Sequence, residues 1–92
     1  MEIEKLITAL EETIRLLKNS QSSDWASMSI KEIIQELESE LAKAKSSKPI
    51  DTKLLGLLFA PTSAIQETSM DNGWGDDFLR ISKVVDDFLS ER

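Results

Sequence analysis

The chain has no cysteine, no histidine and no tyrosine, and only two prolines and three glycines among 92 residues. Each absence removes a class of chemistry. Without cysteine there is no disulfide framework, no thiolate nucleophile and no thiolate metal site. Without histidine there is no Ser-His-Asp or Cys-His machinery and no usual transition-metal ligand set. The commonest general acid–base residue is also missing. Catalysis would have to run on carboxylates, lysine, serine or threonine, and no serine or threonine has a visible base partner. The expectation is a protein that is not an enzyme and uses no cofactor. No stretch approaches the roughly 20 apolar residues of a membrane span. The first residues, Met1-Glu2-Ile3-Glu4-Lys5, are acidic where a signal peptide is basic. A cytoplasmic location is expected.

What is present is ordinary in bulk: 40% hydrophobic and 30% charged residues, which argues against global disorder. The length fits one domain, residues 1–92, with a thin core that buries roughly 60–65% of the unfolded surface. Net charge is −6. That disfavours nucleic acid and anionic membrane and favours a basic protein partner. The acidity is uneven. Residues 1–48 carry nine acids and seven bases, whereas residues 49–92 carry eight acids and four bases.

Apolar periodicity predicts helices throughout. Ile3, Leu6, Ile7, Leu10, Ile14 and Leu17 give a helix over 2–18, with Glu11 and Arg15 placed to pair at i,i+4. A polar loop, 19–24, allows an antiparallel return. Ser29 with Glu32 fits a capping box and Met28 with Ile33 a hydrophobic staple, opening a helix over 30–45, with Asp24 as an earlier alternative start. Glu32, Glu36 and Glu40 step along it, read first as a solvated acidic face relieved by Lys31 and Lys43 and second as a face for a basic patch on a partner. Pro49 breaks the chain, and Asp51 caps a Leu-rich run over 51–60 that is expected to be the most buried helix. Ser63 with Gln66 opens a short helix over 63–71. Asn72-Gly73 reads as a left-handed C-cap. Gly75 or Asp76 then caps a last helix over 76–90, whose stripe is Phe78, Ile81, Val85 and Phe88, helped by Leu79, Val84 and Leu89. Asp76–Arg80 and Lys83–Asp87 are expected i,i+4 pairs.

The residues that invite a function lie mostly in the acidic half. Trp74, between two glycines, either pins the last helix against the short one or stands exposed as a partner anchor, since tryptophan is enriched at interface hot spots. Trp25, after the polar loop, either covers the end of the core or has a surface role as a second anchor. Asp71, Asp76 and Asp77 suggest calcium, but an EF-hand spacing would place Gly73 and Gly75 where oxygen ligands belong, so no metal is expected. Gly73-Trp74-Gly75 before a helix suggests a phosphate loop, but Asp76 and Asp77 would repel the phosphate. Asp86 and Asp87 sit near a helix C-terminus, where acids are mildly unfavourable.

Residues 57–79, Leu-Leu-Phe-Ala-Pro-Thr-Ser-Ala-Ile-Gln-Glu-Thr-Ser-Met-Asp-Asn-Gly-Trp-Gly-Asp-Asp-Phe-Leu, are similar to a recurring segment of small bacterial proteins of uncharacterised function. The short, acidic, helical format resembles the immunity proteins that neutralise toxins. That resemblance implies a protein partner and assigns no catalytic residue.

The sequence therefore predicts an all-α fold: a compact bundle of four to five helices with an N-terminal antiparallel helical hairpin against which the 51–60 helix packs. The functional expectation is a bacterial, cytoplasmic protein-binding module, an immunity-type inhibitor of a basic partner, touching it through Trp25, Trp74, Asp76, Asp77, Asp86 and Asp87. The alternative is a homodimeric structural protein that pairs through the heptad-like seam of the first helix.

Overall fold

The computed structural model describes residues 2–21, 29–61 and 63–90. Every regular element among them is a helix: α1 (Glu2–Lys18), α2 (Ile30–Lys45), α3 (Thr52–Leu58), α4 (Ala64–Asp71) and α5 (Gly75–Ser90). Helix α1 is the centre. Its Leu6, Leu10 and Leu17 are fully buried, because α2 packs on one side of it and α5 on another.

Two ion pairs fix the sense of the hairpin. Glu11 accepts from Lys45 at 2.9 Å and Glu38 from Lys18 at 3.6 Å. Seven residues forward in α1 correspond to seven residues back in α2, so the helices are antiparallel. Such exposed pairs add little stability, about 0–1 kcal/mol each. Glu11 thus serves the hairpin and not the local pair with Arg15.

Helix α5 is likewise antiparallel to α1. The Trp74 indole reaches Ser20 at one end, and Arg80 reaches Glu12 nearer the middle. Arg80 binds both carboxylate oxygens of Glu12 and also Asp77 at 3.2 Å. Asp76 is not its partner, contrary to the expected i,i+4 pair. The Glu12 hydrogen bonds, with those of Asp77 second, raise the Arg80 pKa further, so this cation is permanent.

Helix α2 starts as its sequence demands. The Ser29 Oγ accepts from Glu32 N–H at 3.2 Å, and Glu32 Oε1 accepts from Ser29 N–H at 3.0 Å. These bonds, the backbone one first, hold the Glu32 carboxyl below its ordinary pKa. A lowered folded pKa gives stability that is present at neutral pH and is lost as the pH falls through that value. Glu32→Gln keeps an acceptor but cannot titrate. The stability gap between wild type and Glu32→Gln should therefore close between pH 7 and pH 3 in denaturant melts. A gap unchanged over that range would show that the charge of Glu32 is not engaged.

Two helices end in the same turn with different residues. After α2, Lys48 N–H donates to Lys43 C=O at 2.9 Å and Ser47 takes a φ of 58°. After α4, Trp74 N–H donates to Ser69 C=O at 2.8 Å and Gly73 takes a φ of 81°. Both are Schellman turns, and only glycine enters this region without strain. Nothing lies within 4 Å of where a Cβ on Gly73 would sit, so a substitution there meets backbone strain alone. Gly73→Ala should cost about 1–2 kcal/mol, and Ser47→Gly should gain up to about 1 kcal/mol. Urea midpoints that moved in the same direction for both variants would contradict this account.

Helix α3 departs from expectation. Asp51 caps it, with its Oδ1 accepting from Leu54 N–H at 2.9 Å. It packs chiefly on α5, and Phe59 at its C-cap stacks on Phe78 at 6.3 Å between centroids. Only Leu55 and Leu58 of the helix are buried, while Leu57 is 65% exposed. Among the described residues no helix covers Leu57 on the outer side of α3. A hydrogen bond ties its N-cap to the hairpin: Glu40 of α2, 2% exposed, accepts from Asp51 N–H at 2.7 Å and from Lys43 at 3.0 Å. Glu40 is therefore no part of a solvated acidic face.

Candidate functional site

The turn between α4 and α5 positions the acidic surface. Asn72 caps α4, and its side-chain Nδ2 donates to Thr68 C=O and Gln21 C=O at 2.9 and 2.8 Å. Its Oδ1 accepts from Gln21 N–H at 2.9 Å. One asparagine thus ties the residues after α1 to the start of α5. Trp74 completes the junction. Its carbonyl accepts from Phe78 N–H at 2.9 Å, so Trp74, and not Gly75 or Asp76, stands at the cap position of α5. Its Nε1 donates to Ser20 Oγ at 2.8 Å, and Ser20 Oγ in turn donates to Leu16 C=O.

Trp74 is only 7% exposed and belongs to the core cluster. It pins the last helix, as the first of its two readings holds, and it is not available as an exposed anchor. Trp25 lies outside the described residues, as do Asp24 and Met28. The four aspartates divide. Asp77 is half-buried and committed to Arg80. Asp87 faces solvent and meets Lys83 at 3.8 Å, the pair expected from sequence. Asp76 and Asp86 are exposed and have no ion-pair partner among the described residues.

An apolar element in this surface escaped the sequence reading. Leu79 is 59% exposed, although the stripe counted it inward. The signal was there: one residue past Phe78, Leu79 is rotated about 100° off the buried line of Phe78, Ile81 and Val85. Asp76, Leu79, Lys83 and Asp86 follow one another at three- and four-residue steps and share one outer face. Met70, 67% exposed at the end of α4, belongs beside it. Its Cγ lies 3.7 Å from where a Cβ on Gly75 would be, and Gly75 is one turn before Leu79. The result is an apolar spot rimmed by Asp76 and Asp86, with Lys83 beside it.

A separate cleft of about 300 Å³ opens between α1 and α5, over Ala9 and Ile81 and beside the Glu12–Arg80 pair. Among the described residues no group of three or more acidic side chains is arranged to hold a metal ion. No helix there is long and apolar enough to cross a membrane. No family model, no curated protein and no solved structure matches the chain.

Proposed function

We propose that this chain is a small acidic protein-binding module, not an enzyme, which engages a basic partner through the outer face of α5. The observation that carries this reading is Leu79, exposed between Asp76 and Asp86, which have no ion-pair partner among the described residues, with Met70 alongside. Protein interfaces combine an apolar centre with a polar rim. Carboxylates around such a centre would steer a cationic partner and select against acidic ones. An immunity-type inhibitor of a bacterial toxin fits the format, and a cytoplasmic address belongs to the same reading. The homodimer alternative loses the seam assigned to it, because Leu6, Leu10, Ile14 and Leu17 are buried within the chain's own core.

The test is comparative capture from bacterial lysate at low salt, using wild type and an Asp76→Lys/Asp86→Lys/Leu79→Ser variant. All three positions are exposed, so the variant should keep its circular dichroism spectrum. Wild type should retain a basic protein whose affinity falls with added salt, and the variant should bind it at least about tenfold more weakly. Equal retention by both proteins would remove this face from consideration.

A further inference from the structure

Helix α2 packs mainly on α1, and its apolar stripe is wider than α1 can cover. Ile33, Leu37 and Ala44 are buried, but Ile30, Ile34 and Leu41 are only partly so. Ile34 and Leu41, seven residues apart, lie on the same side of the helix. Opposite them runs Ile14 of α1. Two recesses follow this line, of about 410 and 490 Å³. Both are walled by Lys18 and Glu38, so they form one groove crossed by that ion pair. At 3.6 Å, with both side chains about half exposed, the crossing is weak and easily opened.

The rim is charged against the trend of the molecule. Its two acids are already answered, Glu11 by Lys45 and Glu38 by Lys18. Arg15 and Lys31, also on the rim, have no ion-pair partner among the described residues. Glu32 and Glu36, the other exposed acids of α2, do not line the groove. In a chain of net charge −6, this apolar channel therefore carries surplus positive charge.

We propose that the α1–α2 groove is a docking site for an acidic amphipathic helix of a partner protein. A helix laid in a groove presents apolar anchors at i, i+3 or i+4, and i+7, which matches the part-exposed Ile34 and Leu41 with the largely buried Ile14 beneath them. Glutamates flanking that stripe would meet Arg15 and Lys31. A second copy of this chain is a poor occupant. Its own acidic helix, α5, buries Phe78, Ile81 and Val85 and leaves only Leu79 of its stripe strongly exposed. This groove uses a face of α1 different from the one that carries Ala9 and Glu12 toward α5. The two surfaces thus stand or fall separately.

The test uses the full chain and a fluorescein-labelled helical peptide of about 14 residues, with leucines at i, i+3, i+7 and i+10 and glutamates flanking them. A second peptide carries lysines in place of the glutamates. The acidic peptide should bind saturably, and better than its basic counterpart. Amide NMR shifts should gather on residues 14, 34 and 41. Arg15→Glu/Lys31→Glu, which alters only exposed side chains, should weaken binding about tenfold. Asp76→Lys/Asp86→Lys should not weaken it, which separates failure here from failure of the α5 reading. The proposal is overturned if the acidic peptide does not bind, if the basic one binds as well, or if the shifts fall on α5. Self-association of the chain abolished by Arg15→Glu would also overturn it, by making a second copy the occupant.

Discussion

Replacing Trp74 with alanine is expected to cost about 3–5 kcal/mol, the usual range for emptying a buried aromatic site. A chain of this length has roughly 5–14 kcal/mol of stability in total, so the variant should be near unfolding at physiological temperature. Three contributions converge on this residue. The ring fills the core cluster with Phe78 and Phe59. The indole N–H is satisfied by Ser20, 54 positions earlier. The backbone ends one helix and starts the next through Ser69 and Phe78. Only the first two depend on the side chain, and substitution can separate them. Trp74→Phe keeps most of the ring volume and loses the hydrogen bond, at about 1 kcal/mol beyond the smaller ring. Ser20→Ala leaves the indole N–H without its acceptor and should cost about 1–2 kcal/mol. The double variant should cost less than the sum by roughly 1 kcal/mol. Urea unfolding followed at 222 nm measures all four proteins. A Trp74→Ala penalty under about 1 kcal/mol would mean that the ring does not fill the core.

Local chemistry was readable from sequence where a bond closes within a few residues. The Ser29–Glu32 box, the Asp51 cap, the Ser63 cap and the positive φ of Gly73 all follow from neighbours that meet whatever the rest of the chain does. The starts of α2, α3 and α4 follow from these caps, whereas α3 ends at Leu58, short of the expected 60. What was not readable depends on distant partners. Glu11 and Arg80 were assigned local ion pairs, yet each makes a contact across the bundle, with Lys45 and Glu12 respectively. Asn72 was grouped with Gly73 as a left-handed cap. Only Gly73 takes the positive φ, while the Asn72 amide clasps Gln21.

Exposure failed in the same way for the candidate site. Hydrophobicity alone points Leu57 and Leu79 inward, but exposure is set by which elements lie alongside, and among the described residues none covers these two. The aspartates of α5 were found as a group, yet their pairing was not. Asp77 is held by Arg80, so the α5 aspartates with no ion-pair partner among the described residues are Asp76 and Asp86.

Glu40 is the second residue on which a large effect is expected, because α2 and the start of α3 meet at its one carboxylate. Glu40→Ala should cost about 2–4 kcal/mol. The substitution strands the Asp51 N–H at the entry to α3 and leaves a void beneath it. Lys43, whose side chain is 38% exposed, can turn to water and contributes less to the loss. Glu40→Gln keeps an oxygen for Asp51 and gives up only the charge, so about 1 kcal/mol is expected. Lys43→Met does the reverse, leaving a buried carboxylate with no cation, and should cost more than Glu40→Gln. Combining Glu40→Gln with Lys43→Met should recover part of that loss, because the uncompensated charge is gone. The damage from Glu40→Ala should be concentrated locally. Helix α3 is seven residues long and depends on its cap and on α5, so amide exchange at Leu55 should quicken more than at Leu10 in the centre of α1. Glu36, exposed on the same helix, supplies the control: if Glu40→Ala costs no more than Glu36→Ala, the carboxylate is in water and does not hold α3 to the hairpin.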